Sequence, residues 1–192
     1  MNAPGSYIWY ELLTTDVEAA RSFYTDVIGW RSKPHAIVPG YFMFGVAASD
    51  IGGLMKLDAG MQAPVWLGYI AVENVDATVV AAIRDGAAQC VPPTDIPGVG
   101  RFAMILDPQG VATYVMRGAV EGGVSQSFAA QVGHCQWNEL VTTDPVAALA
   151  FYSRHFGWKA GDTMPMGPMG NYQFLLNGTE RFGAMMKRTR EG

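Results

Sequence analysis

Two mainly apolar stretches of the chain have the composition of strands, and each leads into a helical pattern of apolar and polar positions. Residues 7–13 and 135–141 are rich in β-forming side chains, which indicates strands. Each is followed by Thr-Thr-Asp, in which Asp16 and Asp144 are favourable helix N-caps. Apolar residues then recur at helical spacing until a glycine that suits a left-handed helix end. These glycines are Gly29 and Gly157.

The two stretches are copies of one repeat. The segment "YELLTTDVEAARSFYTDVIGW" at 10–30 aligns without gaps to "NELVTTDPVAALAFYSRHFGW" at 138–158, with 11 of 21 positions identical. After each helix the chain continues in segments of β character. We therefore predict a β-α-β-β-β module, which occurs first at about 7–57 and last at about 134–187.

A divergent third copy of this module lies between the other two. Residues 65–72 have the composition of a strand, 73–87 the pattern of a helix, and 100–117 that of a hairpin whose turn is Asp-Pro-Gln-Gly. Pro92, Pro93 and Pro97 predict a loop before the hairpin. The chain is thus predicted to be an α+β protein of three modules, the middle one at 64–117, with residues 118–133 as a linker.

Composition narrows the class of protein. Hydrophobic residues make up 49% of the 192 positions and charged residues 16%, which is typical of a folded protein. The net charge of −4 disfavours a nucleic-acid partner. No apolar run reaches the roughly 18 residues of a membrane span, and the first residues lack the pattern of a signal peptide. We expect a cytoplasmic protein with no membrane partner, and two cysteines without a spaced motif agree with a reducing compartment.

The motifs "LTTDVEAARSFYTDVIGW", "VTTDPVAALAFYSRHFGW" and "LDPQGVATYVM" resemble the vicinal oxygen chelate superfamily. This superfamily includes glyoxalase I, bleomycin-resistance proteins and extradiol dioxygenases, and a "W-x-E-L-x-T-x-D" opening is similar to that of a two-domain, glyoxalase-like subgroup. The resemblance covers nearly the whole chain. It implies that two modules pair into a half-open curved barrel around one ligand pocket.

The same resemblance implies a division of the chain. Residues 1–117 would form one domain from the first two modules, 118–133 the linker, and 134–192 a third module that is half of a second domain. Its fourth module would be absent or supplied by another subunit, which would make a homodimer. We favour an absent module, because the segment "FGAMMKRTREG" ends where a fourth module would be expected to begin.

The resemblance also identifies the positions at which metal-using relatives hold their ligands. On the first strands these positions fall on Trp9, Leu67 and Trp137, and on the last strand of the second module the position falls on Tyr114. None of these side chains is a common metal donor. We therefore expect a metal-free pocket without a cofactor, and we expect surface or rim positions for the histidines, which share no ligand spacing. They are His35, His134 and His155.

Strand alternation places Trp9 and Glu11 on one face of the first strand, which the resemblance makes the concave face. In the second module, Tyr69 occupies the position that Glu11 has in the first. In the third module, Trp137 and Glu139 repeat the pair of tryptophan and glutamate. The ligand-binding prediction comprises Trp9, Glu11, Tyr69, Arg101, Tyr114, Trp137 and Glu139. Aromatic faces with one carboxylate suit an apolar or cationic small molecule.

Two functions follow from this pocket. One is a small-molecule binding or sequestering protein of the glyoxalase and bleomycin-resistance type that needs no metal. The alternative is a glyoxalase-like lyase, isomerase or hydrolase in which Glu11 acts as general base. Structural roles are open as well: Glu11 as an anchor between modules, Trp9 and Tyr114 as core residues, and Arg101 as a surface charge.

Overall fold

The computed structural model describes residues 2–57, 63–120 and 122–189. Strands dominate, with three α-helices and one short 3-10 helix, Gly167–Met169, among the described residues. In chain order the elements are β1 Tyr7–Thr14, α1 Val17–Ile28, β2 Arg31–Pro34, β3 Phe42–Val46, β4 Ser49–Lys56, β5 Val65–Ala71, α2 Val75–Arg84, β6 Ala88–Ile96, β7 Gly100–Leu106, β8 Ala112–Gly118, β9 Asn138–Thr142, α3 Pro145–Phe156, β10 Lys159–Pro165, β11 Asn171–Asn177 and β12 Glu180–Lys187. None of the described helices combines the length and apolar character that a membrane crossing requires.

The chain divides into two compact units. Unit A consists of Tyr7–Tyr69 with Val124–Gln136, and unit B of Met1–Ser6, Ile70–Gly123 and Trp137–Gly192. Module one therefore lies in unit A, whereas most of module two groups with module three in unit B. The described strands form one sheet of eight strands and one of four.

Unit A carries the strand order β2-β3-β4-β1-β5 and the helix α1. The helix begins at the predicted cap, where Asp16 Oδ1 accepts from the amide of Ala19 at 2.9 Å, and it ends at Gly29 with a φ of 80°. Leu12 of β1 is buried with Phe44, Ile51 and Leu54 under α1. These contacts leave the opposite face of β1, which bears Trp9 and Glu11, turned away from the helix.

In unit B, α3 is fixed against both module two and its own four-stranded sheet, β10-β11-β12-β9. Asp144 caps the helix through the amides of Val146 and Ala147, each at 3.1 Å. The hydroxyl of Tyr152 donates to Asp107 Oδ2 at 3.1 Å, and this carboxylate is 3% exposed. Module three therefore has a packing partner in this chain for its helix.

The prolines at 92 and 93 lie inside strand β6 and not in the predicted loop. The strand pairs antiparallel with β7, and its register is irregular between Val91 and Thr94, where the two prolines fall. β6 ends the strand order of the eight-stranded sheet. An edge position with a bulge tolerates proline, because the missing N–H removes no bond to a further strand.

The second half of the predicted linker is tied to module one. Trp30 Nε1 donates to the carbonyl of Gly133 at 2.7 Å, the hydroxyl of Ser125 donates to the carbonyl of Ile8, and Ser127 is buried. Residues 124–136 thus belong to unit A, and a free spacer would lack such contacts.

Candidate functional site

Glu11 is a buried carboxylate on β1 of unit A. Its side chain is 3% exposed, and Oε2 accepts a hydrogen bond from the hydroxyl of Tyr69 on β5 at 3.1 Å. Burying a charged group without partners is costly, so this hydrogen bond is part of what makes the position tolerable. The structure thus brings together two residues of the predicted site, and both belong to unit A.

Trp9 joins the same face through a residue that sequence reasoning missed. Its indole Nε1 donates to the hydroxyl of Tyr41 at 2.8 Å. The tip of the Tyr41 ring lies over Gly53, where a Cβ atom would come within 1.7 Å of the hydroxyl oxygen. Gly53 is the parallel register partner of Glu11. We refer to Trp9, Glu11, Tyr41 and Tyr69 as the module-one cluster.

Module three contains a related arrangement in unit B, in which a single tyrosine contacts both the tryptophan and the glutamate. Trp137 Nε1 donates to the hydroxyl of Tyr172 at 2.7 Å, and that hydroxyl donates to Glu139 Oε2 at 2.7 Å. Desolvation raises the pKa of Tyr172, and the acceptor Glu139 adds to the effect. Phe174 presents its edge or face to both rings, at 5.9 Å from Trp137 and 5.6 Å from Tyr172. These four residues form the module-three cluster.

The two clusters differ in burial. Glu11 is 3% exposed, whereas Trp137 is 39% exposed and Glu139 lies at the surface. A signal for Tyr41 did exist in the sequence, because Tyr41-Phe42 and Tyr172-Gln173 stand at matching places before β4 and β12. Only the tyrosine is shared between these two segments, so this similarity is much weaker than the repeat of the first strand and helix.

Arg101 and Tyr114 lie in unit B, on β7 and β8. The guanidinium of Arg101 binds Asp76 at 2.7 and 2.8 Å and Asp95 at 2.9 Å, and these carboxylates raise its pKa further above the usual range. In turn, hydrogen bonding to Arg101 lowers the pKa of Asp76. Tyr114 is buried, with the ring of Phe102 at 6.0 Å. Ligand binding by Arg101 and Tyr114 stays a prediction.

His155 departs from the expected surface or rim position. Its side chain is 4% exposed, and Nε2 lies 3.0 Å from Asp85 Oδ2, a distance that suits an ion pair although the angle is outside hydrogen-bond geometry. Arg154 reaches the same oxygen at 3.0 Å, and the ring of Phe151 is 4.6 Å away. The helical position hid this burial, because α3 turns His155 toward the end of α2. Burial lowers the pKa of His155 and outweighs the opposing effect of Asp85.

The donor set of this chain does not fit a metal centre in the part of the chain that the structure describes. There, no group of three His, Cys, Asp or Glu side chains is placed to hold an ion. Trp9 offers an indole N–H, which donates and has no lone pair to give, and Leu67 offers none either. His35 accepts instead from the backbone amides of Ile37 and Val38, at 3.2 and 3.1 Å.

Comparison with known proteins identifies relatives along nearly the whole chain. No family model matches. A protein named putative glyoxylase CFP32, from Mycobacterium bovis and Mycobacterium tuberculosis, is 31% identical over 189 residues, which are 95% of this chain and 71% of that protein. The anthracycline biosynthesis protein DauV of a Streptomyces species is 31% identical over 180 residues, 84% of this chain and 64% of that protein.

Solved structures show the same fold. The Mn(II)-bound glyoxalase from Novosphingobium aromaticivorans superposes with a TM-score of 0.66 at 19% identity, over 97% of this chain. This chain spans 62% of that structure's chain. At such identity the likeness concerns the backbone, and the manganese is a property of that enzyme.

Proposed function

This chain belongs to the vicinal oxygen chelate superfamily, among its glyoxalase-like proteins, and on that premise we propose that it binds a small organic molecule without using a metal. The observation that carries the proposal is the module-one cluster, in which Trp9 and Tyr41 stand beside the buried carboxylate of Glu11. Indole and phenol faces bind flat rings and cations, and a carboxylate orients a positive group. The ligand class is therefore an aromatic or aliphatic organic cation.

The hydrogen bonds of the cluster support a binding role for Glu11. Glu11 already accepts a hydrogen bond from Tyr69 at 3.1 Å, and the Trp9 indole donates to Tyr41 at 2.8 Å. A carboxylate that is held as an acceptor in a buried place gains most from a further donor or cation, because the desolvation of its charge is then offset. A protonated amine or quaternary ammonium group would supply that partner.

The absence of suitable donors at Trp9, Leu67 and Tyr114 supports a metal-independent pocket. The proposal is tested by metal analysis of the full chain purified without chelator. We expect less than stoichiometric zinc, nickel, iron or manganese. A stoichiometric metal that is lost when Glu11 is replaced by Gln would refute metal independence.

The finer architecture is part of the same proposal. Modules one and two (7–57 and 64–117) would pair into a half-open barrel, with Arg101 and Tyr114 contributing to the ligand pocket from module two. Residues 134–192 would contribute a second, half-built domain that carries the pair Trp137 and Glu139, completed by a further module or by a homodimer. The four-stranded sheet with its exposed Trp137 supports this, since such a face is a common interaction surface. A cytoplasmic location remains an expectation.

A second function is favoured by the name of the mycobacterial relatives, which speaks of a glyoxylase. In that case Glu11 would take a proton from the substrate as general base, in a lyase, isomerase or hydrolase reaction. The burial of Glu11 and its contact with Tyr69 are compatible with either role.

Benzyltrimethylammonium and its uncharged carbon isostere neopentylbenzene separate the ligand classes. Titrations followed by tryptophan fluorescence should show binding of the cation and at least tenfold weaker binding of the isostere, as expected for a charge-assisted contact. Glu11→Gln keeps the shape of the side chain and should remove this preference. Equal binding of both compounds would contradict the cation proposal, and turnover of a substrate by wild type that Glu11→Gln abolishes while binding persists would establish the enzyme instead.

A further inference from the structure

We propose that Tyr41 and Tyr172 are positioning residues that hold the carboxylates of Glu11 and Glu139 for the ligand. In each module the tyrosine hydroxyl would stand between a tryptophan N–H and a glutamate, so that the direction of its proton is fixed. The inference rests on the binding role proposed above and assigns the residues that orient the charge on which this role depends.

Module three shows the complete chain of hydrogen bonds from tryptophan through tyrosine to glutamate. The indole N–H of Trp137 can only donate, so at 2.7 Å it occupies a lone pair of the Tyr172 oxygen. The hydroxyl has a single proton, which then points to Glu139 Oε2, also at 2.7 Å. This geometry keeps one carboxylate oxygen engaged and leaves Oε1 for another partner. Short bonds to a charged acceptor are the stronger class of hydrogen bond.

Module one matches module three in backbone register and in the tryptophan-to-tyrosine bond, whereas Gly53 stands where module three has Ala184. Glu11 pairs with Gly53, which pairs with Met43, and Glu139 pairs with Ala184, which pairs with Phe174. Tyr41 and Tyr172 each precede their register residue, Met43 or Phe174, by two positions, with Tyr41 just before β3 and Tyr172 within β11. Trp9 donates to Tyr41 as Trp137 donates to Tyr172.

Glycine at position 53 makes room for the tyrosine beside Glu11. A Cβ on Gly53 would lie 1.7 Å from the Tyr41 oxygen and 2.2 Å from the ring carbon that bears it. The hydroxyl thus sits at the level of the sheet, over the residue directly opposite Glu11. Because the Trp9 indole donates to the oxygen of this hydroxyl, the hydroxyl's own proton can point to Glu11. The Glu11 carboxylate would then accept hydrogen bonds from Tyr41 and from Tyr69.

The test uses the full chain with ¹³C-labelled glutamate side chains and ¹⁵N-labelled indoles, observed by NMR. Tyr41→Phe should shift the indole signal of Trp9 and the carboxyl carbon of Glu11, and it should alter the pH dependence of that carbon. Tyr172→Phe should do the same to Trp137 and Glu139. Each substitution is the control of the other, because each should leave the other module's signals in place.

Binding of benzyltrimethylammonium gives the functional readout. We expect Tyr41→Phe to weaken it by roughly three- to tenfold, the effect of one hydrogen bond that orients a charge. Tyr10→Phe is the matched control, since it removes a phenol oxygen from the opposite face of β1. An unchanged Glu11 carbon in a folded Tyr41→Phe protein would overturn the assignment for module one, and an unchanged Glu139 carbon in Tyr172→Phe would overturn it for module three.

Two results separate the failure of this inference from failure of the proposed function. If wild type does not bind the cation but the carboxyl carbons respond as expected, the tyrosines position the glutamates and the binding role is wrong. If wild type binds and Tyr41→Phe binds equally well, the positioning role of Tyr41 is wrong. Should Tyr41→Phe fail to fold, Tyr172→Phe at the exposed cluster decides the same question.

Discussion

Gly53→Ala is the most direct perturbation of the module-one cluster. The new methyl carbon would start 1.7 Å from the Tyr41 oxygen, whereas nonbonded atoms meet at roughly 3.5 Å. The ring must therefore retreat by almost 2 Å, and the hydrogen bond from Trp9, now 2.8 Å, cannot survive that movement. The backbone at Gly53 has no positive φ, so the effect is one of space and not of glycine geometry.

The expected loss of stability has two parts. Overpacking of a filled site costs about 1–3 kcal/mol, and the broken hydrogen bond adds about 1 kcal/mol. We expect the free energy of unfolding to fall by about 2–4 kcal/mol in urea denaturation, with an unchanged m-value. Gly118→Ala is the matched control, because the nearest atom to its Cβ is 4.0 Å away, and we expect its effect to be within about 0.5 kcal/mol.

A double-mutant cycle identifies the cause. Tyr41→Ala removes the ring that the methyl group strikes, so the cost of Gly53→Ala should largely disappear in that background, with a coupling energy above about 1 kcal/mol. Two results would refute the proposed clash between a side chain at position 53 and Tyr41. One is a loss of unfolding free energy in Gly53→Ala that is as small as in Gly118→Ala, and the other is a loss that is the same with and without the Tyr41 ring.

Three further predictions concern unit B. Burial lowers the pKa of His155 in the folded protein, so the unfolded chain binds a proton at this residue first as the pH falls below about 6.5. The free energy of unfolding should therefore decline below that pH by up to about 1.4 kcal/mol per pH unit. His155→Gln should flatten this slope in pH-dependent denaturation. Tyr152→Phe removes a donor from the buried Asp107 and should cost about 1–2 kcal/mol in urea denaturation, and a neutral result would show that the remaining donors suffice. Arg101→Gln breaks exposed ion pairs and should leave the midpoint of urea denaturation nearly unchanged, while a loss of benzyltrimethylammonium affinity in this variant would contradict a purely surface role.

The helices and the first strands could be predicted because their signals are local. Asp16 and Gly29 delimit α1 by capping geometry alone, and the repeat places an equivalent N-cap aspartate and C-terminal glycine at the ends of α3. The strand through Pro92 and Pro93 could not be predicted, because a strand tolerates proline only at the edge of a sheet or at a bulge, and the strand order is a tertiary feature.

Burial and partners were the least predictable features of the site. The pair Trp9 and Glu11 was visible from strand alternation, but the hydroxyl that accepts the hydrogen bond of the Trp9 indole comes from a residue 32 positions away. His155 gave a surface pattern because its helix carries an adjacent Arg154, and its burial depends on contact with α2. Such features arise from tertiary packing, which periodicity within one element does not encode.

Glu11 and Glu139 stand at equivalent positions of their modules but differ in burial, and this difference affects how each carboxylate can bind a cation. At module three, water reaches Glu139, so a single phenol suffices and the cluster holds a charge at little cost. At module one, Glu11 is shielded from bulk solvent, and its carboxylate accepts a hydrogen bond from Tyr69. Electrostatic attraction for a cation is several times stronger in such a dry place than at an exposed surface. Of the two clusters, the one around Glu11 should therefore bind an organic cation more tightly, and the one around Glu139 should lose its affinity first as salt is added.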